Sequence, residues 1–209
     1  MFSRKIVGWQ VYESESSERA AALLQDIYQR EGIDKDQVVL HSDNGGPMKG
    51  ATMLSMMQHL GILPSFSRPA VSNDNPYSEA LFRTVKYVPH YPGHFVGVRE
   101  ARDYLEGFVH WYNEEHCHSG IRFVTPAQRH RGEDRAILAK RQRVYEQAKT
   151  RHPERWSGKT RNWDRIDVVH LNPEKGKSQT NDIEKRVLQG IDPDSLILPL
   201  GNCKPHKYY

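Results

Sequence analysis

Apolar positions recur along this chain with two periods, and the two alternate. Lys5–Tyr12, KIVGWQVY, with apolar Ile6, Val7, Trp9 and Val11, predicts a strand. Ser14–Ser17 offer N-caps, and Ala20, Leu23, Leu24, Ile27 and Tyr28 then return at helical spacing until Gly32 ends the helix. Val38, Val39 and Leu40 form a short β-branched run that predicts a buried strand. His41, Ser42 and Asp43 stand at its C-terminal end, and Asn44-Gly45-Gly46-Pro47 turns the chain. Lys49–Leu60 predicts a helix with Met53, Leu54, Met57 and Leu60 on one stripe, the methionines filling a core. Ile62–Ser67 predicts a second short strand, and the polar loop Arg68–Asn75 is long enough to move over the strand end.

The remainder reads as helical. Asn75-Pro76 is an N-cap and first helical position, and the helix it starts breaks at His90–Gly93. Val98–Glu115 is the strongest amphipathic pattern, with Ala101, Tyr104, Leu105, Phe108, Trp111 and Tyr112 on its apolar stripe. Thr125-Pro126 starts a further helix. Glu133–Lys149 follows, with Ile137, Leu138, Val144, Tyr145 and Ala148 inward and Lys140, Arg141, Arg143 and Lys149 largely outward. Periodicity fades beyond Trp156, and residues 174–209 read as a weakly ordered tail.

Composition narrows the class. Hydrophobic residues are 37% and charged residues 27% of 209, enough for one sizeable domain with an appendage. No apolar run is long enough to span a bilayer, and no signal peptide is evident, so a cytoplasmic setting is expected. Two cysteines, Cys117 and Cys203, do not make a disulfide framework. The net charge of +4 is uneven: residues 118–165 hold 13 Lys/Arg against 5 Asp/Glu, and the rest of the chain is net acidic. Such a block fits a polyanion partner, although a solvated helix face has the same composition.

Two carboxylates attract attention. Asp43 lies at the mouth of a strand beside a glycine turn that admits a ligand to the backbone. Glu79 lies in the first turn of the Pro76 helix, with Arg83 and Lys86 four and seven residues on, along the same face. Taken singly these are a turn Asp and a helix-start Glu; together they make a candidate metal and phosphate site. His116-Cys117-His118 does not make a zinc site, because three adjacent residues do not close a tetrahedron and no partner motif exists.

Thirty-five residues separate Asp43 from Glu79. HSDNGGPM (41–48), that spacing, and DNPYSEALFRTVK (74–86) resemble the second and third acids of DDE transposases and retroviral-type integrases. FSRKIVGW (2–9), WYNEEHCHSGIRFVTPAQRHRG (111–132) and VYEQAKTRHPERW (144–156) extend the resemblance to insertion-sequence transposases, in order, over roughly residues 2–160. The resemblance implies an α/β, ribonuclease-H-like integrase core followed by helices and a basic, partly irregular C-terminal tail. It implies Mg²⁺ (or Mn²⁺) held by Asp43 and Glu79 and no small-molecule cofactor beyond metal. Lys86 and Arg83 would contact DNA, with Arg141 and Arg143 serving the basic block. The partners expected are transposon ends and target DNA, in a homo-oligomer without a membrane, at a bacterial nucleoid.

The family's first catalytic Asp has no counterpart here. FSRKIVGW matches the third core strand, so the core is read as lacking its first two strands, and Asp26, Asp34 and Asp36 are poorly placed as substitutes. The domain reading is a partial integrase core over 1–132, a basic helical extension over 133–173 and a tail over 174–209. The functional expectation is the catalytic region of a DDE transposase, nicking DNA and transferring strands with Mg²⁺, but inactive alone with two of three acidic ligands. The alternatives are a non-catalytic DNA- or subunit-binding remnant, a metal-dependent nuclease of the same fold, and an interaction module with no nucleic-acid role.

Overall fold

In the computed structural model, residues 2–68 and 74–169 are described. The helix α1 (Ser17–Arg30) begins where Ser16 accepts a hydrogen bond from the Arg19 amide, and Arg30 sits in its last turn. The strand β1 (Val39–Ser42) then leads through α2 (Gly46–Lys49) and α3 (Ala51–Leu60) to β2 (Leu63–Phe66). The two strands pair in parallel, with Val39 opposite Leu63 and Ser42 opposite Phe66. Among the described residues this is a two-stranded sheet. Leu63 and Ser67 donate their amides to Val38 and Ser42. The intervening Pro64 therefore turns its missing N–H away from β1, which an edge strand tolerates.

The helices α1 and α3 cover this βαβ unit. Ala21 and Leu24 of α1 meet Met53, Met57 and Leu60 of α3, with Val38 and Ile62 from the strand approaches. Met53 and Met57 are almost fully buried, so the methionines do fill core. The helix expected over Lys49–Leu60 begins instead at Ala51 as α3, and Lys49 ends the short α2, with Gly50 between them. A Cβ at Gly50 would overlap Ser17, so the chain there passes too close to α1 for a side chain. Leu54, expected on the stripe, is 38% exposed. It lies about 100° around the helix from Met53, whereas Met57 and Leu60 lie within about 40°.

The Lys5–Tyr12 segment departs from expectation. It is not part of a ladder among the described residues. A strand needs a neighbour for its backbone groups, and here side chains take that place. Asn113 accepts from the Ile6 amide at 2.9 Å and donates to the Ile6 carbonyl at 3.0 Å. Arg30 donates to the Val7 carbonyl at 2.8 Å, and Arg102 donates to the Val11 carbonyl. Ile6, Val7, Trp9 and Val11 are all half-buried, and no backbone ladder partner for them lies among the described residues.

Helix α4 (Pro76–Tyr87) is followed by α5 (Val98–Glu114), α6 (Pro126–His130) and α7 (Asp134–Arg151). Thr125 and Gln128 close a reciprocal capping box at the start of α6. Ile121, Val124, Leu138 and Trp163 form a second core. Trp163 is 6% exposed, so the stretch beyond Trp156 packs back onto α7 although its periodicity has faded. Val144, expected inward, is 54% exposed because it lies about 120° from the Leu138 line. The expected tail over 174–209 lies outside the described residues.

Candidate functional site

The site is built where β1 ends and α4 begins. His41, in β1, joins three elements. Its Nδ1 lies 2.9 Å from the Ser65 hydroxyl on β2, and its Nε2 lies 3.0 Å from the Asp74 carbonyl just before α4. A carbonyl oxygen only accepts, so Nε2 carries the proton in that bond. Asp74 is itself 5% exposed. Its carboxylate accepts from the Arg68 backbone amide at 2.8 Å, from Nε at 2.9 Å and from Nη2 at 2.8 Å. Arg68 and Asp74 thus tie the two ends of the loop that follows β2, and His41 ties that knot to the strand. Residues 69–73, the middle of the loop expected to move over the site, lie outside the described residues.

Asp43 follows β1 directly and is exposed. Its Oδ1 accepts the Gly45 amide at 3.0 Å, an Asx turn that holds the carboxylate at the mouth of the strand. Asn44 donates to the Ser67 carbonyl at 2.8 Å, pinning the same turn to the end of β2. Glu79 occupies the first turn of α4, and its amide bonds the Asn75 carbonyl. Asn75 stands at the N-cap position but makes no side-chain cap bond. Glu79, Arg83 and Lys86 are all exposed. The inner face of α4 is held by Tyr77, whose ring lies 4.0 Å from the Arg4 guanidinium, and by Val85, whose carbonyl accepts from the Tyr104 hydroxyl at 3.0 Å.

The basic block divides on inspection. Arg129 is fully buried, contacting Asp134 and donating to the Phe2 carbonyl at 2.7 Å. Arg165 reaches the same Asp134 at 2.7 Å. Arg141 is half-buried, donates to the Arg122 carbonyl at 2.8 Å and lies over the Trp163 ring. Arg143 is exposed on α7. The sequence missed this division, because a guanidinium committed to a carbonyl reads the same as one in water. It also missed His41 and the Arg68–Asp74 knot, for which the bracketing of one loop by opposite charges is the available signal.

Comparison with known proteins now bears on these residues. A family model described as integrase core domain matches residues 1–72, and a second of the same description matches residues 60–126. The transposase for insertion sequence element IS904 of Lactococcus lactis is 30% identical over 130 residues, covering 60% of this chain and 50% of that protein. A putative transposase for IS150 of Escherichia coli is 22% identical over 128 residues, covering 61% and 45%. Residues 1–126 match the integrase core domain, and the chain is similar to insertion-sequence transposases. The integrase core thus takes in β1, β2, α4 and both carboxylates, while α7 lies past the matched residues. The chain spans about half the length of the curated relatives it matches. Among solved structures, the catalytic core domain of BIV integrase is 23% identical, TM-score 0.44, covering 61% of this chain and 79% of that one. A simian T-cell lymphotropic virus intasome is 16% identical, TM-score 0.44, covering 56% and 41%.

Integrase cores as a family use a divalent metal. Asp43 and Glu79 fit such an ion in kind, both being exposed carboxylates and hard oxygen donors. They do not fit a pair of ions in number: among the described residues no group of three or more His, Cys, Asp or Glu gathers around one point. No helix among the described residues is long and apolar enough to cross a membrane.

Proposed function

We propose that this chain is the catalytic region of a DDE-type transposase acting on DNA. Asp43 and Glu79 are its two acidic ligands for Mg²⁺ or Mn²⁺, Lys86 and Arg83 contact DNA beside them, and exposed cations of α7, Arg143 above all, contact phosphates further out. The proposal includes transposon ends and target as the DNA partners, a homo-oligomeric complex, and action at the nucleoid. The observation that carries it is the His41 bridge. It connects the strand that leads into Asp43 to β2 and to the segment opening the Glu79 helix, with bonds of 2.9 and 3.0 Å. A turn Asp and a helix-start Glu without shared function need no such strut.

That no third donor joins the two carboxylates among the described residues supports a further part of the proposal: residues 1–209 alone do not transfer strands. The test is a nicking and strand-transfer assay with Mg²⁺ or Mn²⁺, beside duplex binding measured across salt. Binding should weaken with log K falling by about 0.9 per phosphate contacted for each tenfold rise in salt, with no nicked product. Nicking that disappears in Asp43→Asn would overturn the inactivity. A salt slope near zero would overturn the DNA reading and favour an interaction module.

A further inference from the structure

Helix α4 buries none of its residues, yet it is amphipathic and twelve residues long. Its inner side carries Tyr77, Leu81, Thr84 and Val85. Its outer side carries two aromatic rings in water: Phe82 is 64% exposed and Tyr87 is 79% exposed. Taking Glu79 as zero, Phe82 lies at about −60°, Lys86 at about −20°, Arg83 at about +40° and Tyr87 at about +80°. The rings therefore border one face, with two cations and the candidate carboxylate between them. The Arg83 guanidinium lies 5.9 Å from the Tyr87 ring centroid, so cation and ring already share one end of the face.

We propose that this face binds unpaired nucleotides of a DNA strand, with Phe82 and Tyr87 stacking on bases while Arg83 and Lys86 meet the intervening phosphates. The proposal rests on the DNA reading above and deepens it by naming the substrate form and two new contact residues. Three features of the face choose this occupant. Three charges lie between the rings, whereas the buried centres of protein–protein interfaces are depleted in charge. The two cations outnumber the one carboxylate, as a phosphate chain requires. Phe82 and Tyr87 are about 7.5 Å apart along the axis, more than twice the roughly 3.4 Å step between stacked bases of one duplex strand. Rings so spaced on a convex helix do not reach bases inside an intact duplex, but they suit a strand that has left it. Aromatic stacking tolerates any base, so the face contributes affinity for unpaired DNA without reading sequence.

The experiment compares two fluorescent oligonucleotides with the full chain by anisotropy: a blunt duplex, and the same duplex with a short single-stranded 3′ tail. The tailed probe should bind more tightly. Phe82→Ala and Tyr87→Ala should each weaken tailed binding by about tenfold and change blunt binding by less than about twofold. Phe82→Tyr should keep the preference, since either ring stacks. Arg83→Ala and Lys86→Ala should weaken both probes. Both aromatic changes are at exposed positions, and thermal melts of each variant check that the fold is unchanged. Equal binding of the two probes, unaltered by either aromatic change, overturns the stacking face and leaves the DNA reading standing. No binding of either probe overturns both. A change in molecular mass by light scattering in Phe82→Ala, without loss of the tail preference, assigns the face to contact between copies and overturns the proposal.

Discussion

Where α6 meets α7, Arg129 and Asp134 are wholly out of solvent and Arg165 is 17% exposed; on α4, Glu79, Arg83 and Lys86 are all in it. At the first place Asp134 Oδ2 is 3.4 Å from Arg129 and 2.7 Å from Arg165, and the two guanidinium groups also lie over the Phe2 ring. Both cations are therefore committed to holding the N-terminal segment, α7 and residues 163–166 together. At the second place charge is displayed on a helix whose own burial does not require it. The difference shows that a count of basic residues mixes two populations, and only the displayed one is available to a polyanion.

That contrast can be broken most sharply at Asp134. Asp134→Ala removes the carboxylate that both cations share and leaves Arg129 buried beside Arg165, which keeps Asp167 at 2.8 Å. The expected destabilisation is about 3–5 kcal/mol, read as a lower urea midpoint or melting temperature. A loss below about 1 kcal/mol would mean that solvent reaches the cluster and that the contrast with α4 is one of degree. His41→Ala is next. It removes the bonds to Ser65 and Asp74 and strands a carbonyl, for an expected cost of about 1–3 kcal/mol. His41→Gln should restore part of that stability if the strut acts by hydrogen bonding, and none if ring packing alone matters.

A smaller effect is expected in acid. Burial, with the charges of Arg4 and His116, pushes His118 down to about 4 from 6.5. Neutral His118 accepts the Gly120 amide on Nδ1. Between those two pH values the unfolded chain binds the proton and the folded chain does not, so stability falls as pH drops from 6.5 towards 4. His118→Asn, which keeps an acceptor without titrating there, should flatten melting temperature across that window. Glu31 belongs to a lower window. Burial pushes its carboxyl up, but the hydrogen bonds and charges of Lys5 and His130 outweigh it and hold the carboxyl below 4.5. Its contribution is present above 4.5 and is lost as pH falls through its depressed value. An unchanged acid slope in His118→Asn would show that His118 titrates as it does in the unfolded chain.

The smallest effect on stability is expected at the candidate ligands. Asp43→Asn and Glu79→Gln are exposed changes and should alter stability by no more than about 0.5 kcal/mol. A larger loss from Glu79→Gln would move that residue from display to support and erase the comparison.

The legible parts of the sequence were those where local chemistry decides the outcome. The α1 stripe, the Thr125-Pro126 helix start and the Val38–Leu40 run each carry their signal within a few residues. The positions of Asp43 and Glu79 were legible the same way, from a strand followed by a glycine turn and from an Asn-Pro helix start. What stayed hidden depends on partners distant in sequence. KIVGWQVY has strand composition, but a ladder is a property of two segments, and Asn113 lies more than a hundred positions away. Trp163 packs on Tyr145 and Ile121 without any periodic context. Arg141 and Arg143 differ by two positions and by the whole of their environment, since one bonds a carbonyl and the other faces water.

Asn113 has a consequence for the ageing of this protein. Its carboxamide acts as a detached peptide group, offering one acceptor and one donor to both sides of Ile6. Deamidation would leave the acceptor and replace the donor with oxygen. A negative oxygen would then face the Ile6 carbonyl 3.0 Å away, in a side chain only 8% exposed. The anchor would become a repulsion, and the segment it holds would be released on one side while the helices stay folded. Faster amide exchange at Ile6 in aged or Asn113→Asp material, with the α1–α3 core still protected, would record that chemical clock; unchanged exchange there would show that the arginine bonds to Val7 and Val11 suffice.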